Sequence, residues 1–278
     1  MPKRNNKFKE QKTDYKIYPV RKEEDFVTID RELPEPFKPL FEKNGAAIAL
    51  FGGMGVGKGN LLSNWLLRED FMKGLFQGGL YFISPTAQND LTNVHLVREA
   101  DMVETDYSDE LMKGIYDNIM DIPSEDREMS CIVLDDCLGS IKQHSIMNKI
   151  TSTVRHMKTL LIYSLQACKG LPPTVRSNIS MTVVFNTPSQ KQMNDLTELH
   201  SHLGGEDVWQ KCYEEATSKK YQFMLNCFKT MRIFKWGGDL ESPVLLYSMY
   251  NEAGERTHEN FLDNPAELNN KEKKKMNC

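Results

Sequence analysis

Gly52-Gly53-Met54-Gly55-Val56-Gly57-Lys58-Gly59 is the stretch whose reading decides the fold. The apolar run Ala46 to Phe51 precedes it and reads as a buried strand bounded by Gly45 and Gly52. Leu61-Leu62-Ser63-Asn64-Trp65-Leu66-Leu67-Arg68 follows, with the length and apolar content of a helix. Strand, glycine loop and helix in that order are the setting of a phosphate-binding loop. Glycines let successive backbone N–H groups face one point, and the helix N-terminus adds partial positive charge. Lys58 then reaches the β- and γ-phosphates as a point charge. The pattern departs from its usual form at one place. Gly59 stands where a Ser or Thr hydroxyl ordinarily ligates Mg²⁺, which leaves water or Asn60 to fill the gap. Taken alone, such a loop is also compatible with a plain glycine turn ahead of a helix.

A second stretch decides between the two. Ser130-Cys131-Ile132-Val133-Leu134-Asp135-Asp136 runs four apolar residues into two adjacent carboxylates. A buried parallel strand that ends in acids presents them at the edge where an α/β sheet binds its ligand. In a phosphate-loop ATPase the first acid, Asp135, holds Mg²⁺ through water. The second, Asp136, orients and deprotonates the attacking water. A strand that ends in an ordinary polar turn is the plainer alternative, and the glycine loop upstream, in the order the fold demands, argues against it.

The remaining strands and helices follow from pattern. Leu80 to Ser84 reads as a strand stopped by Pro85, and Asp101 to Thr105 as a short edge strand. Ser108 can cap a helix from Asp109 to Met120 with Leu111, Ile115 and Ile119 on one face. Lys142 to Lys158 looks helical and carries Arg155-His156. Thr159 to Gln166 reads as another buried strand, its terminal Gln166 placed to sense a γ-phosphate. Leu171-Pro172-Pro173 turns into a short segment through Ile179 that holds Arg176, and Met181 to Asn186 is the next strand. Arg176 is a candidate arginine finger, because a planar, permanently charged fork suits phosphate. Ser189 to Thr217 is helical and broken at Gly204-Gly205. Tyr221 to Cys227 and Thr230 to Trp236 form a β-hairpin.

Composition bounds the class. The chain has 278 residues, 40% of them hydrophobic and 27% charged, with a net charge of -4. That charge confines any nucleic-acid contact to a local patch. No apolar run approaches the ~20 residues that span a bilayer, and no signal peptide is expected after Met1-Pro2-Lys3-Arg4. The six cysteines form no C-x-x-C pair and read as free thiols. His200-x-His202 reads as solvated loop histidines. The expected organisation is a basic flexible arm with a Pro34, Pro36, Pro39 extended lead-in over residues 1–40, anchored by Phe37 and Phe41. A single domain covers 41–250, and a polar, disordered tail covers 251–278.

The ordered set of pieces resembles a known group. It comprises the loop Gly52 to Gly59, Phe82-Ile83-Ser84-Pro85-Thr86, Leu134-Asp135-Asp136, Arg155-His156, Ser164-Leu165-Gln166, Pro173-Thr174-Val175-Arg176-Ser177-Asn178 and Tyr221-Gln222-Phe223-Met224-Leu225. Across residues 44–236 the chain is similar to the genome-packaging ATPases of the FtsK–HerA superfamily, found in poxviruses, giant DNA viruses and virophages. The resemblance implies an α/β P-loop NTPase of the RecA/ASCE-like type. Its central sheet would be mostly parallel and flanked by helices, with a C-terminal β-hairpin. It also implies an ATP-driven motor that forms a homo-oligomeric ring, hexamer or pentamer, and moves double-stranded DNA without sequence preference into a preformed capsid. ATP and Mg²⁺ are the implied cofactors, and a capsid or portal protein the implied partner. Host cytoplasm or viral factory is the implied location, with virion association and no membrane. Carried over residue by residue, Gly52, Gly53, Met54, Gly55, Val56, Gly57, Lys58, Gly59 and Asn60 would cradle the nucleotide and Asp135 would serve the metal. Asp136 and Gln166 would be the catalytic carboxylate and sensor. Arg176 would be the finger supplied in trans, with Arg155 the alternative. Lys142, Lys149 and Lys169 are candidate pore residues, with a solvated surface the plainer reading of each. A related helicase-like P-loop ATPase and a catalytically weak scaffold at the portal are the competing readings. Gly59 sustains the second.

Overall fold

The computed structural model describes residues 33–41, 45–68, 70–137 and 141–260. The basic arm ahead of residue 33, the lysine-rich tail after residue 260 and Cys278 lie outside the described residues. The proline-rich lead-in does not run extended. The backbone N–H groups of Phe37 and Lys38 both donate to Pro34 O, at 2.8 and 3.2 Å, and the chain enters a short helix α1 (Lys38–Phe41). Proline fits this because its fixed φ and missing N–H cost nothing at a helix start. Phe37 is fully buried, whereas Phe41 is only half-buried.

The chain then alternates strands and helices. β1 (Ala46–Phe51), α2 (Lys58–Leu67), β2 (Leu80–Ile83), α3 (Val94–Glu99), β3 (Met102–Glu104), α4 (Asp109–Asp121), β4 (Ser130–Asp135) and α5 (Met147–Thr153) come first. β5 (Thr159–Leu165), α6 (Pro173–Arg176), β6 (Met181–Phe185), α7 (Gln190–His200) and α8 (Glu206–Ala216) follow. β7 (Gln222–Cys227), β8 (Arg232–Gly237), β9 (Val244–Tyr250) and β10 (Arg256–Asn260) complete the order. All the described strands join one sheet in the order β10-β9-β8-β7-β6-β1-β5-β4-β2-β3. From β6 to β3 the pairing is parallel. From β6 to β10 it is antiparallel.

Several expectations are corrected. The C-terminal hairpin is the first half of a four-strand antiparallel extension. β10 lies in the stretch expected to begin a disordered tail, where its residues Arg256, Glu259 and Asn260 pair with β9. The helix expected over Lys142 to Lys158 is regular only from Met147 to Thr153, because the flanking segments turn to reach β4 and β5. The polar segment after Pro85 contains α3, whose Leu96 is fully buried. The Ser108 cap is present, its Oγ accepting from Leu111 N at 3.0 Å.

β1, β4, β5 and β6 are buried along their whole length, so both sets of alternating side chains find a core. Ala47, Ala49 and Phe51 face the layer built from α4 to α8. Ile48 and Leu50 face the layer of α1, α2 and α3. In that second layer Phe37 meets Trp65 edge-on at 4.9 Å and Phe71 at 5.2 Å, and it approaches Trp236 of β8 at 5.8 Å. Such aromatic contacts add about 0.5–1.5 kcal/mol each beyond the area they bury. The lead-in is thereby fastened to both the loop helix and the antiparallel extension.

The five described cysteines are buried free thiols, and burial pushes Cys137 and Cys212 up to about 12. His200 is not a solvated loop residue. It ends α7 inside the core, where Nε2 accepts from Thr182 Oγ1 at 2.7 Å and Nδ1 donates to Leu196 O at 2.7 Å. Asn226 Nδ2 donates to the same Thr182 oxygen, and Trp209 Nε1 donates to Asn226 Oδ1. Burial pushes the imidazole down to about 3 from the ordinary 6.5. Between those values the folded chain binds fewer protons than the unfolded chain, so stability rises with pH there and falls on acidification. Acidification from pH 6.5 to 4.5 should cost stability through this residue, with a slope that approaches on the order of 1 kcal/mol per pH unit toward the lower end. His200→Gln should flatten that slope in chemical denaturation, and an unchanged slope would place the acid sensitivity elsewhere.

Candidate active site

β1 delivers the glycine loop to the C-terminal edge of the parallel strands, between β5 and β6. Gly52 leaves β1 with its N–H donating to Leu165 O. A Cβ on Gly52 would stand 2.8 Å from Val56 and 2.9 Å from Phe185, so only glycine fits. Gly57 has φ 105° and directly precedes the first turn of α2, a conformation that excludes most side chains. Lys58 is 8% exposed, and its Nζ donates to Gly52 O at 2.7 Å and Gly53 O at 3.1 Å. The amine therefore sits across the mouth of the loop, and the N-terminal amides of α2 open toward the same point. Met54 is exposed at the loop tip. Asn60 lies in the first turn of α2, where its carbonyl accepts from Asn64 Nδ2.

The acids arrive from β4, which is separated from β1 by β5. Asp135 is 6% exposed, and its Oδ2 accepts from Ser84 Oγ at 3.1 Å and Asn93 Nδ2 at 3.3 Å. Burial raises its pKa above the ordinary carboxylate value. Asp136 reinforces this, while Ser84 and Lys58 oppose it. Asp136 follows with φ 49°, a left-handed conformation that Asp tolerates better than most residues. That turn takes its carboxylate off the strand direction. Asp136 Oδ1 is buried without a hydrogen-bond partner among the described residues.

The segment between β2 and α3 closes the site from the side. Ser84 Oγ contacts Thr86 Oγ1, and Thr92 O accepts from Ser63 Oγ of α2. A Cβ on Gly59 would stand 2.6 Å from Thr92 Oγ1 and 2.8 Å from Asn93 Oδ1. Position 59 is thus glycine because two side chains from this segment occupy the space. Neither Thr92 nor Asn93 was expected from the sequence. The one available signal was the missing hydroxyl itself, which calls for an oxygen from elsewhere.

Gln166 follows β5 immediately, beside the start of the loop. Its carbonyl accepts from Gln192 Nε2, and it borders a small crevice shared with Gly52 and Thr187. Arg176 ends α6 half-buried, on a groove it shares with Gln143 and Lys169. Gln143 and Lys169 lie on the segments that follow β4 and β5. Arg176 has no carboxylate partner among the described residues. Arg155 is exposed ahead of Thr159, at the other end of β5 and about 20 Å of strand away from Gln166. The structure therefore gathers the loop, Asp135, Asp136 and Gln166 at one edge, whereas Arg176 lies in the crossover from β5 to β6, shortly before Ser180 N meets Ala47 O at the opposite end of β1, and Arg155 precedes β5 at that opposite edge. Lys169 is paired with Asp195 and Lys149 lies over Tyr116, whereas Lys142 is exposed.

The group implied by such a site fits these residues. The loop presents a phosphate cradle with an amine across it. Beside the cradle stand two buried acceptor oxygens without a partner among the described residues, Asn93 Oδ1 and Asp136 Oδ1, and the buried carboxylate of Asp135. Acceptors without donors next to an anion cradle suit a hydrated divalent cation.

A parallel sheet with one strand between the loop strand and the acid strand, a glycine cradle and paired terminal acids together define a P-loop ATPase of the additional-strand class. The sequence profile of the poxvirus A32 protein family matches residues 38–208, more than half of the chain. The chain belongs to the poxvirus A32 protein family. No curated protein sequence matches significantly. Among solved structures, one similar chain is the genome-packaging NTPase B204 of Sulfolobus turreted icosahedral virus 2 bound to ATP-gammaS. It shows 15% identity and a TM-score of 0.54, over 71% of this chain and 99% of that one. Another is B204, the DNA-packaging ATPase of Sulfolobus turreted icosahedral virus. Its identity is 13% and its TM-score 0.52, over 70% and 98% of the two chains. At that identity the likeness is one of fold. Among the described residues no helix is long and apolar enough to cross a membrane.

Proposed function

We infer that the protein is the motor of viral genome packaging. It hydrolyses ATP in a ring of like subunits, in host cytoplasm or viral factory, and drives double-stranded DNA into a capsid through a capsid or portal partner. The observation that carries this reading is the assembly of the glycine cradle, Lys58 and the Asp135-Asp136 pair at one sheet edge, in a chain of the A32 family. The loop amides and Lys58 bind and orient the triphosphate. Asp135, its carboxylate steadied by Ser84 and Asn93, would hold Mg²⁺ through water, and the cation would neutralise developing charge on the phosphates. Asp136 orients the attacking water and takes its proton, and Gln166 reports on the γ-phosphate end. Phosphoryl transfer to water needs positioning and charge neutralisation far more than covalent chemistry, and these residues supply both.

Arg176 supplies the remaining positive charge to a neighbouring subunit, which ties hydrolysis to movement between subunits. DNA is held by its phosphates, so its grip is independent of sequence and weakens with salt. The direct test is steady-state ATP hydrolysis by the full chain, with and without double-stranded DNA. Mg²⁺-dependent turnover stimulated by DNA is expected. Bound nucleotide with no turnover in either condition would favour a portal scaffold. A second test addresses the ring. Arg176→Ala and Lys58→Ala chains, each inactive alone, should regain part of the wild-type rate when mixed, because some interfaces then combine an intact loop with an intact finger. No recovery in mixtures shown to co-assemble would assign Arg176 a role within its own subunit or none.

A further inference from the structure

We propose that Asn93 supplies, through Oδ1, the metal-ligating oxygen that the glycine loop lacks at position 59. The proposal rests on the nucleotide-binding reading above and adds to it a ligand from a different chain segment. Three observations carry it. The space of a residue-59 side chain is filled, with Asn93 Oδ1 2.8 Å from where its Cβ would stand. Asn93 is 0% exposed, and its Oδ1 has no hydrogen-bond partner among the described residues. Its Nδ2 donates to Asp135 Oδ2 and Asp90 Oδ2, both at 3.3 Å.

The last observation fixes the amide orientation. Turning the amide over would set Oδ1 against two carboxylates and aim Nδ2 at Gly59, a loss of both hydrogen bonds and a repulsion in their place. Oδ1 is therefore held toward the loop. A buried amide oxygen without a donor costs free energy unless a cation or donor meets it, and a neutral carbonyl oxygen is a hard ligand suited to Mg²⁺. Thr92 completes the wall. Its Oγ1 donates to Asp90 Oδ1 at 2.7 Å, which anchors the segment that carries Asn93. The usual arrangement takes the oxygen from the helix turn that follows the lysine. Here the segment after β2 brings it, so the same residue that steadies Asp135 also reaches the metal.

The test is the affinity of ADP for the full chain by calorimetry, in EDTA and in excess Mg²⁺, and the ratio of the two. Wild type should bind more tightly with Mg²⁺. Asn93→Ala should reduce that Mg²⁺-linked gain by roughly tenfold or more, with the EDTA affinity changed by less than about twofold, since the loop amides and Lys58 remain. Asn93→Ser keeps a small neutral side chain that can still donate to Asp135 and is too short to hold an amide oxygen toward the loop, so it should reduce the Mg²⁺-linked gain likewise, and it decides the matter if the alanine chain fails to melt cooperatively. An unaltered Mg²⁺ linkage in either folded variant overturns the role of Asn93 and leaves the nucleotide site standing. Wild-type chain that binds no ADP under either condition overturns the nucleotide site, and Asn93's role with it.

Discussion

Lys58→Ala should bring ATP hydrolysis to background, a fall of at least about a thousandfold, or on the order of 4 kcal/mol. The lysine places one buried positive charge at the loop mouth, in a site where few other cations are held. Its removal takes away charge-assisted bonds to the phosphates, each worth about 1.5–3 kcal/mol. It also leaves the carbonyls of Gly52 and Gly53 without their present donor. Two readouts separate these effects. Nucleotide affinity reports the lost charge, and thermal unfolding without nucleotide reports the loosened loop. Hydrolysis that persists in a folded Lys58→Ala chain would move the active site away from this loop.

Asp136→Asn should keep ATP affinity within a fewfold and lower turnover by about 10²–10⁴, the usual worth of a positioned general base. The substitution is informative because the backbone at this position is left-handed, and Asn accepts that conformation as readily as Asp. The fold and the loop should therefore be unchanged, and only the capacity to take a proton is lost. A variant that no longer binds ATP would instead make Asp136 a direct metal ligand. Gly59→Ser is a poorer probe of the metal site than the sequence suggests. The new Cβ would collide with Thr92 and Asn93, so a gain in turnover is not expected from it.

The strands that hold the site were legible for one physical reason. β1, β4, β5 and β6 are buried on both faces, and continuous apolar runs ending in glycine, acid or glutamine are hard to mistake. The loop–helix junction was equally clear, because glycines before a lysine have few structural uses. What pattern could not show were short elements whose form depends on partners. α3 is six residues in a polar stretch and is held by one buried leucine and its contacts with α2. β9 and β10 extend the sheet from an edge that the sequence gives no reason to continue. His200 looked solvated because nothing local announces that Thr182, Leu196 and Trp209 enclose it. Asn93 was hidden for the same reason. An asparagine among Asp90, Leu91 and Thr92 reads as turn chemistry, and its link to Asp135 spans 42 residues of chain. Arg155 shows a further limit of pattern: it is prominent in sequence beside a site strand, yet a strand has two ends, and it stands at the end away from the loop of its own subunit.

The position of β1 in the sheet has a consequence for local opening. β1 has a hydrogen-bonded neighbour on each side, with four strands beyond β6 in one direction and three beyond β5 in the other. Its amides are released to solvent only when the whole sheet opens, so they should exchange for deuterium at the rate of global unfolding. β2 lies one strand from the β3 edge, and the segment that leaves it is held by local turn hydrogen bonds and a few side-chain bonds to α2 and β4. Its amides should exchange faster by orders of magnitude. The loop strand should thus be the slowest part of the site to open, and the wall that carries Asn93 should open before it.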